Sequence, residues 1–519
     1  MRTALAALAE ALALRGVRRA FGMPGGDVLP LLDALRAVGI EFILTREEAA
    51  AGFMAAATAE LDGAPGLAIS TLGPGATRLL SGAAGAQLER TRALFITGQC
   101  SPRLRGRYTH QILDQQALFA PVCRSTSALG APGGLRAALD ALDLGPPGAV
   151  HLDLAGSQAE AQTDEDVSIR VAQHRLDPQA EAEAARLLAQ SERPVVLIGH
   201  DERSDEVCAA LRALVEALGA PALVTYRAKG LIDEQSPRFA GAFGLSPVVD
   251  AHQQALIAEA DLIVAVGLDP VELRPEWLPG WPAHLPVLSL SENPQPDVVA
   301  ACSLVGDLAG TLARLCPAPR APWRPLDAHR AAILAPFDDG PDGPAAAIRA
   351  VAAALPDDTV LALDVGAHRI TASQVWPSRQ PRRLLQSNGL SSMGTGLPYA
   401  LAAALTGRPA AVISGDMGLW MCLGELGLAQ ERRLNLVVLY LSDAALSLIA
   451  LKQERSRLPT QGVTFENPDV CALAAAFGGA GRQVRGAPAV EAAVRSAAEA
   501  GGLQIIEVLI DPAPYRRQM

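Results

Sequence analysis

Apolar runs of four to six residues, each closed by a turn and followed by a helical pattern, recur along this chain. Ile40 to Leu44, Leu67 to Ser70 and Ala93 to Thr97 are early cases, and Thr359 to Leu363, Ala410 to Ser414 and Leu436 to Leu441 repeat the arrangement late in the sequence. Strands that alternate with helices need crossover connections, so the pattern predicts α/β architecture with doubly wound parallel sheets. At 519 residues the chain exceeds what one core supports, and the usual domain size divides it into about three.

Two segments of altered composition mark the divisions. A polar stretch of low periodicity runs from Gln158 to Glu183, and proline-rich sequence runs from Cys316 to Pro325, with Asp338 to Pro344 beyond it. The predicted domains are 1–165, 180–325 and 340–519. Pro194 to Gly199, Ala222 to Thr225, Leu262 to Gly267 and Pro286 to Leu290 read as strands of the middle one. Its first strand is followed by Gly199-His200-Asp201-Glu202 and not by GxGxxG, so no dinucleotide fingerprint supports a flavin or nicotinamide there. The first and third domains read as variations on one theme.

Half the residues are hydrophobic, the net charge is −11, and Lys and Arg are dispersed, which argues against nucleic acid and against an anionic membrane surface as partners. The seven cysteines, Cys100, Cys123, Cys208, Cys302, Cys316, Cys422 and Cys471, show no CxxC spacing and indicate neither a disulfide framework nor a zinc site. Glu10 interrupts the apolar N-terminal run, which therefore reads as an amphipathic helix. The longest uncharged stretch, Leu384 to Gly407, contains Asn388, four glycines and Pro398, a composition that a bilayer-spanning helix hardly tolerates. A soluble protein in a reducing cytoplasm is expected.

The chemistry gathers at strand ends. Asp416, in Gly415-Asp416-Met417, and Asp443, after Ser442, are 27 positions apart, and each stands where an apolar run stops. Mg2+ keeps most of its waters and is commonly held by one or two carboxylates plus ligand phosphates, so the pair predicts a metal-diphosphate anchor. Pro24-Gly25-Gly26-Asp27 and Leu72-Gly73-Pro74-Gly75 follow earlier strands, where glycine lets a ligand approach the backbone.

Phe21-Gly-Met-Pro-Gly-Gly26, Thr45-Arg-Glu-Glu-Ala-Ala50, Thr71-Leu-Gly-Pro-Gly-Ala-Thr77, Ile96-Thr-Gly-Gln99, Asp364-Val-Gly-Ala-His368, Gly394-Thr-Gly-Leu-Pro398 and Gly415-Asp416 with Asp443 stand in order along nearly the whole chain. Together they resemble the thiamine-diphosphate-dependent enzymes of the acetolactate synthase and 2-keto-acid decarboxylase group, which includes benzoylformate decarboxylase and benzaldehyde lyase. The resemblance implies a pyrimidine-binding first domain, a degenerate dinucleotide-binding-like central domain and a diphosphate-binding third domain. It also implies active sites shared between subunits of a homodimer or homotetramer, with thiamine diphosphate and Mg2+ as cofactors.

Residue by residue, the resemblance implies these roles. Glu47 is the acid that activates the aminopyrimidine, which itself serves as base at C2 because no ordinary side chain easily reaches that carbon. Met393 is the apolar wedge that bends the cofactor, and the carbonyl of Ser391 receives its amino group. Asp416, Asp443 and the carbonyl of Ala445 are the metal ligands. Pro24, Gly25, Thr71, Gly73, Ala367, His368, Gly415 and Met417 contact the cofactor, Met417 standing where relatives carry glycine. Asp27, His110 and Gln111 are the candidates on the substrate side, with satisfaction of loop groups as the alternative for each, and Leu446, Leu448 and Ile449 are candidates for the acceptor wall. Glu48 reads as solvated or as helix N-terminal charge.

The implied reaction decarboxylates a pyruvate-like 2-keto acid and adds the resulting enamine to a second carbonyl, in the manner of acetolactate synthase. The alternatives are a non-oxidative decarboxylase or aldehyde lyase acting on a bulkier or aromatic substrate, and a non-catalytic family member. Small 2-keto acids or aldehydes are the expected partners.

Overall fold

The computed structural model describes residues 2–519 apart from 101–103, 105, 106, 108, 109, 155–159, 173–176, 278–280 and 283. Three six-stranded sheets, parallel throughout, carry the architecture, with helices between the strands. The first runs Glu41–Leu44, Arg19–Met23, Gly66–Ser70, Ala93–Gly98, Ala149–Leu154, Ser125–Leu129 across its width. The third runs Leu384–Gln386, Val360–Leu363, Ala410–Gly415, Leu436–Ser442, Leu503–Leu509, Ala480–Arg485. Numbered within each unit, both follow the order 2-1-3-4-6-5, which gives the likeness of the first and third units a topological basis. The middle sheet, between Pro194 and Val305, has the order 3-2-1-4-5-6 of a dinucleotide-binding fold.

Both faces of the central strands are buried, which is why those strands read as unbroken apolar runs. In the first sheet Phe21, Ala68 and Phe95 face one core, while Ala20, Leu67, Ile69, Leu94 and Ile96 face the other. The first of these cores continues into the third unit through Val360, Val412, Val438 and Tyr440. Helices Glu48–Asp62 and Gly396–Leu405 pack against each other at this junction. Within the first unit, Glu48–Asp62 also packs closely on helix Pro74–Leu88, where a Cβ on Gly52 would stand 2.6 Å from the Cα of Gly82.

Two local readings change. Helix Ala4–Leu14 is buried around most of its circumference and not on one face alone. The proline-rich sequence is no free tether, since Trp323 donates to the carbonyl of Pro194 at 2.8 Å and a helix follows at Asp327–Leu334. The reading of the uncharged stretch stands: it contains strand Leu384–Gln386 and helix Gly396–Leu405, and among the described residues no helix is long and apolar enough to cross a membrane.

Arg227 ties the middle unit to the first. It is 3 % exposed and lies 3.0 Å from Glu60 and 3.2 Å from Glu89. Both partners are buried, and the guanidiniums of Arg203 and Arg227 outweigh burial to hold the Glu60 carboxyl down at about 2. Arg227→Ala would leave two buried carboxylates short of a cation, a loss of about 3–5 kcal/mol. A lowered thermal midpoint measures it. Because the folded value for Glu60 lies below its ordinary 4.5, its contribution is present above pH 4.5 and lost toward about pH 2. That acid sensitivity should be weaker in the variant.

Candidate active site

Strands Ala410–Gly415 and Leu436–Ser442 are neighbours, with Gly415 beside Leu441, so the residues that follow them emerge together. Asp416 and Asp443 are those residues. Asp416 accepts from the backbone N–H of Met417 at 3.0 Å and of Ala444 at 2.9 Å, and from Asn467 Nδ2 at 3.1 Å. Asp443 accepts from the N–H of Ala445 at 3.2 Å and from the Ser447 hydroxyl. Burial raises the carboxyl of Asp416, and burial followed by the repulsion of Asp416 pushes that of Asp443 up to about 6.

Both carboxylates line a cavity of about 210 Å3 at the carboxyl ends of the third sheet. Ala367, His368, Ser391, Met393, Gly415 and Met417 line it too, together with Ala445, Leu446, Leu448 and Ile449. Of the expected residues of the third unit, every one is therefore in this cavity. Among the described residues, no lysine or arginine lines it. His368 is buried and its Nε2 has no hydrogen-bond partner among the described residues. Burial, and then the nearby Arg369, press its imidazole down to about 4.

Met417 is accommodated. It is the second residue of helix Asp416–Met421, and the position that demands glycine is the next one, where a Cβ on Gly418 would lie 1.7 Å from Asp364 Oδ2. Asp364 is a buried hub: its carboxylate accepts from the N–H of Thr395 at 3.0 Å and of Gly396 at 3.2 Å, and from Ser414 Oγ at 3.1 Å. It thereby ties the loop carrying Met393 to the strand that ends before Asp416. Ser391 on that loop has a φ of 53°, the left-handed region, and its hydroxyl donates to the Asn388 carbonyl at 2.8 Å.

The expected residues of the first unit lie elsewhere. Glu47 caps helix Glu48–Asp62 by accepting from the N–H of Ala50 at 3.0 Å, and burial raises its carboxyl. Asp27 is committed within the protein, accepting from Thr71 Oγ1 at 2.8 Å and from the N–H of Leu72 at 2.9 Å, so the Pro24-Gly25 loop and the Thr71-Gly73 loop are bound together. Gly25 leaves the room for this, since a Cβ there would meet Thr71 Oγ1 at 2.3 Å. The N–H of Gly73 donates to Gln115 at 2.9 Å. His110 and Gln111 are exposed, Gln111 with a φ of 60° and its backbone against Gly73. None of these first-unit residues is among the lining of the cavity.

Glu48 departs from its expected surroundings. It does supply charge to the first turn of its helix, but it is 5 % exposed, 4.0 Å from Arg78, with Oε2 lacking a hydrogen-bond partner among the described residues. Sequence reasoning also missed Asn467, which joins Asp416 to Ser442 Oγ (2.9 Å), and Tyr515 and Ile510, which close the cavity from the C-terminal segment. Nothing local marks Asn467, which lies 51 positions from the carboxylate that it serves.

Two like-folded units that flank a dinucleotide-binding-like one, with paired acidic strand ends in the third and a helix-capping glutamate in the first, define a cofactor enzyme of the thiamine pyrophosphate class. Three family descriptions match in the corresponding order: the thiamine pyrophosphate enzyme N-terminal binding domain at residues 2–118, the central domain at 182–315 and the C-terminal binding domain at 364–508. The chain belongs to this family and is a thiamine-pyrophosphate-dependent enzyme of the acetolactate synthase family. It is 30 % identical to acetolactate synthase isozyme 2 large subunit of Escherichia coli, over 97 % of this chain and 94 % of that one. Acetolactate synthase of Bacillus subtilis is 27 % identical over 97 % and 92 %. A probable 2-ketoarginine decarboxylase of Pseudomonas aeruginosa is 31 % identical over 98 % and 94 %.

The third unit's residues suit a diphosphate with a divalent cation. The buried Asp416 and the half-buried Asp443 face a cavity whose lining, among the described residues, includes no lysine or arginine, and the buried Nε2 of His368 lacks a hydrogen-bond partner among those residues. A hard cation would supply the charge balance that this wall does not, and phosphate oxygens could accept from His368.

Proposed function

We propose that this protein is a thiamine diphosphate and Mg2+ dependent carboligase, which decarboxylates a pyruvate-like 2-keto acid and transfers the remaining fragment to a second carbonyl. The observation that carries the reading is the composition of the cavity around Asp416 and Asp443. Leu446, Leu448, Ile449 and Met417 give it an apolar wall suited to a short alkyl substrate. Among the described residues lining the cavity, the titratable groups besides the two carboxylates assigned to the cation are His368, pressed down to about 4, and Tyr515, raised well above its ordinary value by burial. A proton donor for aldehyde release would therefore have to come from the first-unit half of the site.

When bound, thiamine diphosphate supplies the nucleophilic carbon and the electron sink for decarboxylation. The chain's residues do the rest. Asp416, Asp443 and the Ala445 carbonyl would hold the cation, and His368 and the Ala367 N–H the diphosphate. Glu47, with its raised carboxyl, would keep and share a proton at the pyrimidine nitrogen. Met393 would give the cofactor apolar support, and the Ser391 carbonyl would accept from its amino group. Leucine and isoleucine side chains exclude water, which favours loss of a charged carboxylate.

Glu47 and its loops belong to the first unit and the cavity to the third, and the cavity's lining contains none of them. In the proposed form a complete site takes its two halves from different subunits, and a homodimer is the smallest working form; light scattering tests this. All seven cysteines are free, in keeping with a reducing cytoplasm.

The decarboxylase reading keeps one observation in its favour, the 31 % identity to the probable 2-ketoarginine decarboxylase. With pyruvate as sole substrate, acetolactate is the expected product. No acetolactate, beside turnover of benzoylformate to benzaldehyde, selects the decarboxylase instead.

A further inference from the structure

A helix start built around a side-chain cap normally completes itself locally: the N-cap side chain accepts from the third helical residue, whose own Glu or Gln returns to the N-cap N–H. Glu47 satisfies the first half through Ala50, but Ala50 has no side chain with which to return the bond. The missing acceptor comes from 378 positions away. Glu425 Oε1 accepts from the N–H of Glu47 at 3.0 Å and from that of Arg46 at 2.8 Å.

Glu425 stands in the turn Leu423–Glu425, just beyond the helix that begins at Asp416, and is 1 % exposed. Its other oxygen, Oε2, has no hydrogen-bond partner among the described residues. Burial pushes the carboxyl up to about 7, against the pull of the two N–H groups and of Arg46. A group so costly to bury is unneeded for packing, since an apolar side chain would fill the same space without desolvation.

A counterpart runs in the other direction. Glu89, at the end of helix Pro74–Leu88 in the first unit, accepts from Ser387 Oγ at 2.7 Å, from the N–H of Gly389 at 2.9 Å and from that of Leu390 at 3.3 Å. Those residues lead directly to Ser391 and Met393. Each unit's carboxylate thus grips the backbone of the loop that carries the other unit's functional residues.

We propose that Glu425 is a positioning residue for Glu47, fixing through the N–H groups of Arg46 and Glu47 the orientation in which the Glu47 carboxyl meets the cofactor. The proposal rests on the reading of Glu47 as the activating acid. Its action is confined to placement: Glu425 needs only an acceptor oxygen, so glutamine serves nearly as well and alanine does not.

The test compares Glu425→Ala and Glu425→Gln with the parent full-length protein. In the cofactor-free chain, deuterium uptake at the Arg46 and Glu47 amides should quicken at least about tenfold in Glu425→Ala. With thiamine diphosphate and Mg2+ added, exchange of the cofactor's C2 proton should slow by about tenfold or more while cofactor affinity stays within about threefold. Glu425→Gln should return both readouts to within about threefold of the parent. Should the alanine variant not fold, Glu425→Asp, one methylene short, must show the same split. Parental C2 exchange in the alanine or aspartate variant overturns the proposal, as does a glutamine variant no better than alanine, or a loss that tracks cofactor affinity. A parent that does not itself accelerate C2 exchange overturns the reading of Glu47, and the proposal with it, before any variant is compared.

Discussion

Glu47→Gln is expected to cut C2 proton exchange of bound thiamine diphosphate, and turnover with it, by about 10²–10⁴-fold, the range over which a positioned acid or base acts. Folding should be nearly untouched. Glu47 serves the protein as the cap of helix Glu48–Asp62, accepting from the Ala50 N–H, and a glutamine oxygen accepts the same bond. The N–H groups of Arg46 and Glu47 keep their own acceptor, Glu425. Cofactor affinity should therefore stay close to that of the parent, because the change removes an exchangeable proton and leaves the shape. Burial already raises the Glu47 carboxyl, so the side chain is adapted to hold that proton. NMR exchange of the C2 proton, read beside calorimetric affinity, separates the two effects; unchanged exchange would refute the assigned role.

Asp416→Ala should abolish the metal dependence of cofactor binding, with affinity in the presence of Mg2+ reduced on the order of 100-fold or more. The Asp416 carboxylate also organises the surrounding loop, accepting from Met417, Ala444 and Asn467. The N–H of Ala444 and the Asn467 amide lose an acceptor in the variant. Water entering the cavity satisfies them, so the folded state should survive with a modest loss. Asp443→Ala is expected to reproduce the metal effect with less disturbance, since its partners, the Ala445 N–H and Ser447, are close in sequence. Titration with and without Mg2+ decides; equal affinity under both conditions in the parent would remove the cation from the proposal.

Much of this protein was legible in one dimension. The apolar runs from Ala93 to Thr97 and from Leu436 to Leu441 correspond closely to strands, because strands buried on both faces are apolar almost throughout. Edge strands were harder. Ala480–Arg485 is partly exposed and carries two arginines, so its burial signal is weak. Gly415-Asp416 and Ser442-Asp443 announced themselves because a strand end followed by an acid is a local pattern.

Contacts between distant residues carried no such mark. Asn467 reaches the Asp416 carboxylate from 51 positions beyond it, Tyr515 reaches the cavity from 99, and Glu425 reaches Glu47 across 378. Glu48 shows the same limit, since its charge at a helix start reads as solvated until the fold buries it. By itself, then, the sequence determined the strands, the parallel α/β class and the residue types at each strand end, all of which follow from short-range periodicity and turn chemistry. Only the tertiary structure decided which ends stand side by side, through the 2-1-3-4-6-5 order that sets Gly415 beside Leu441, and which half-sites are gripped from afar. The physical reason is that burial and hydrogen bonding act on neighbours in space, and a crossover connection makes spatial neighbours of residues that the chain keeps far apart.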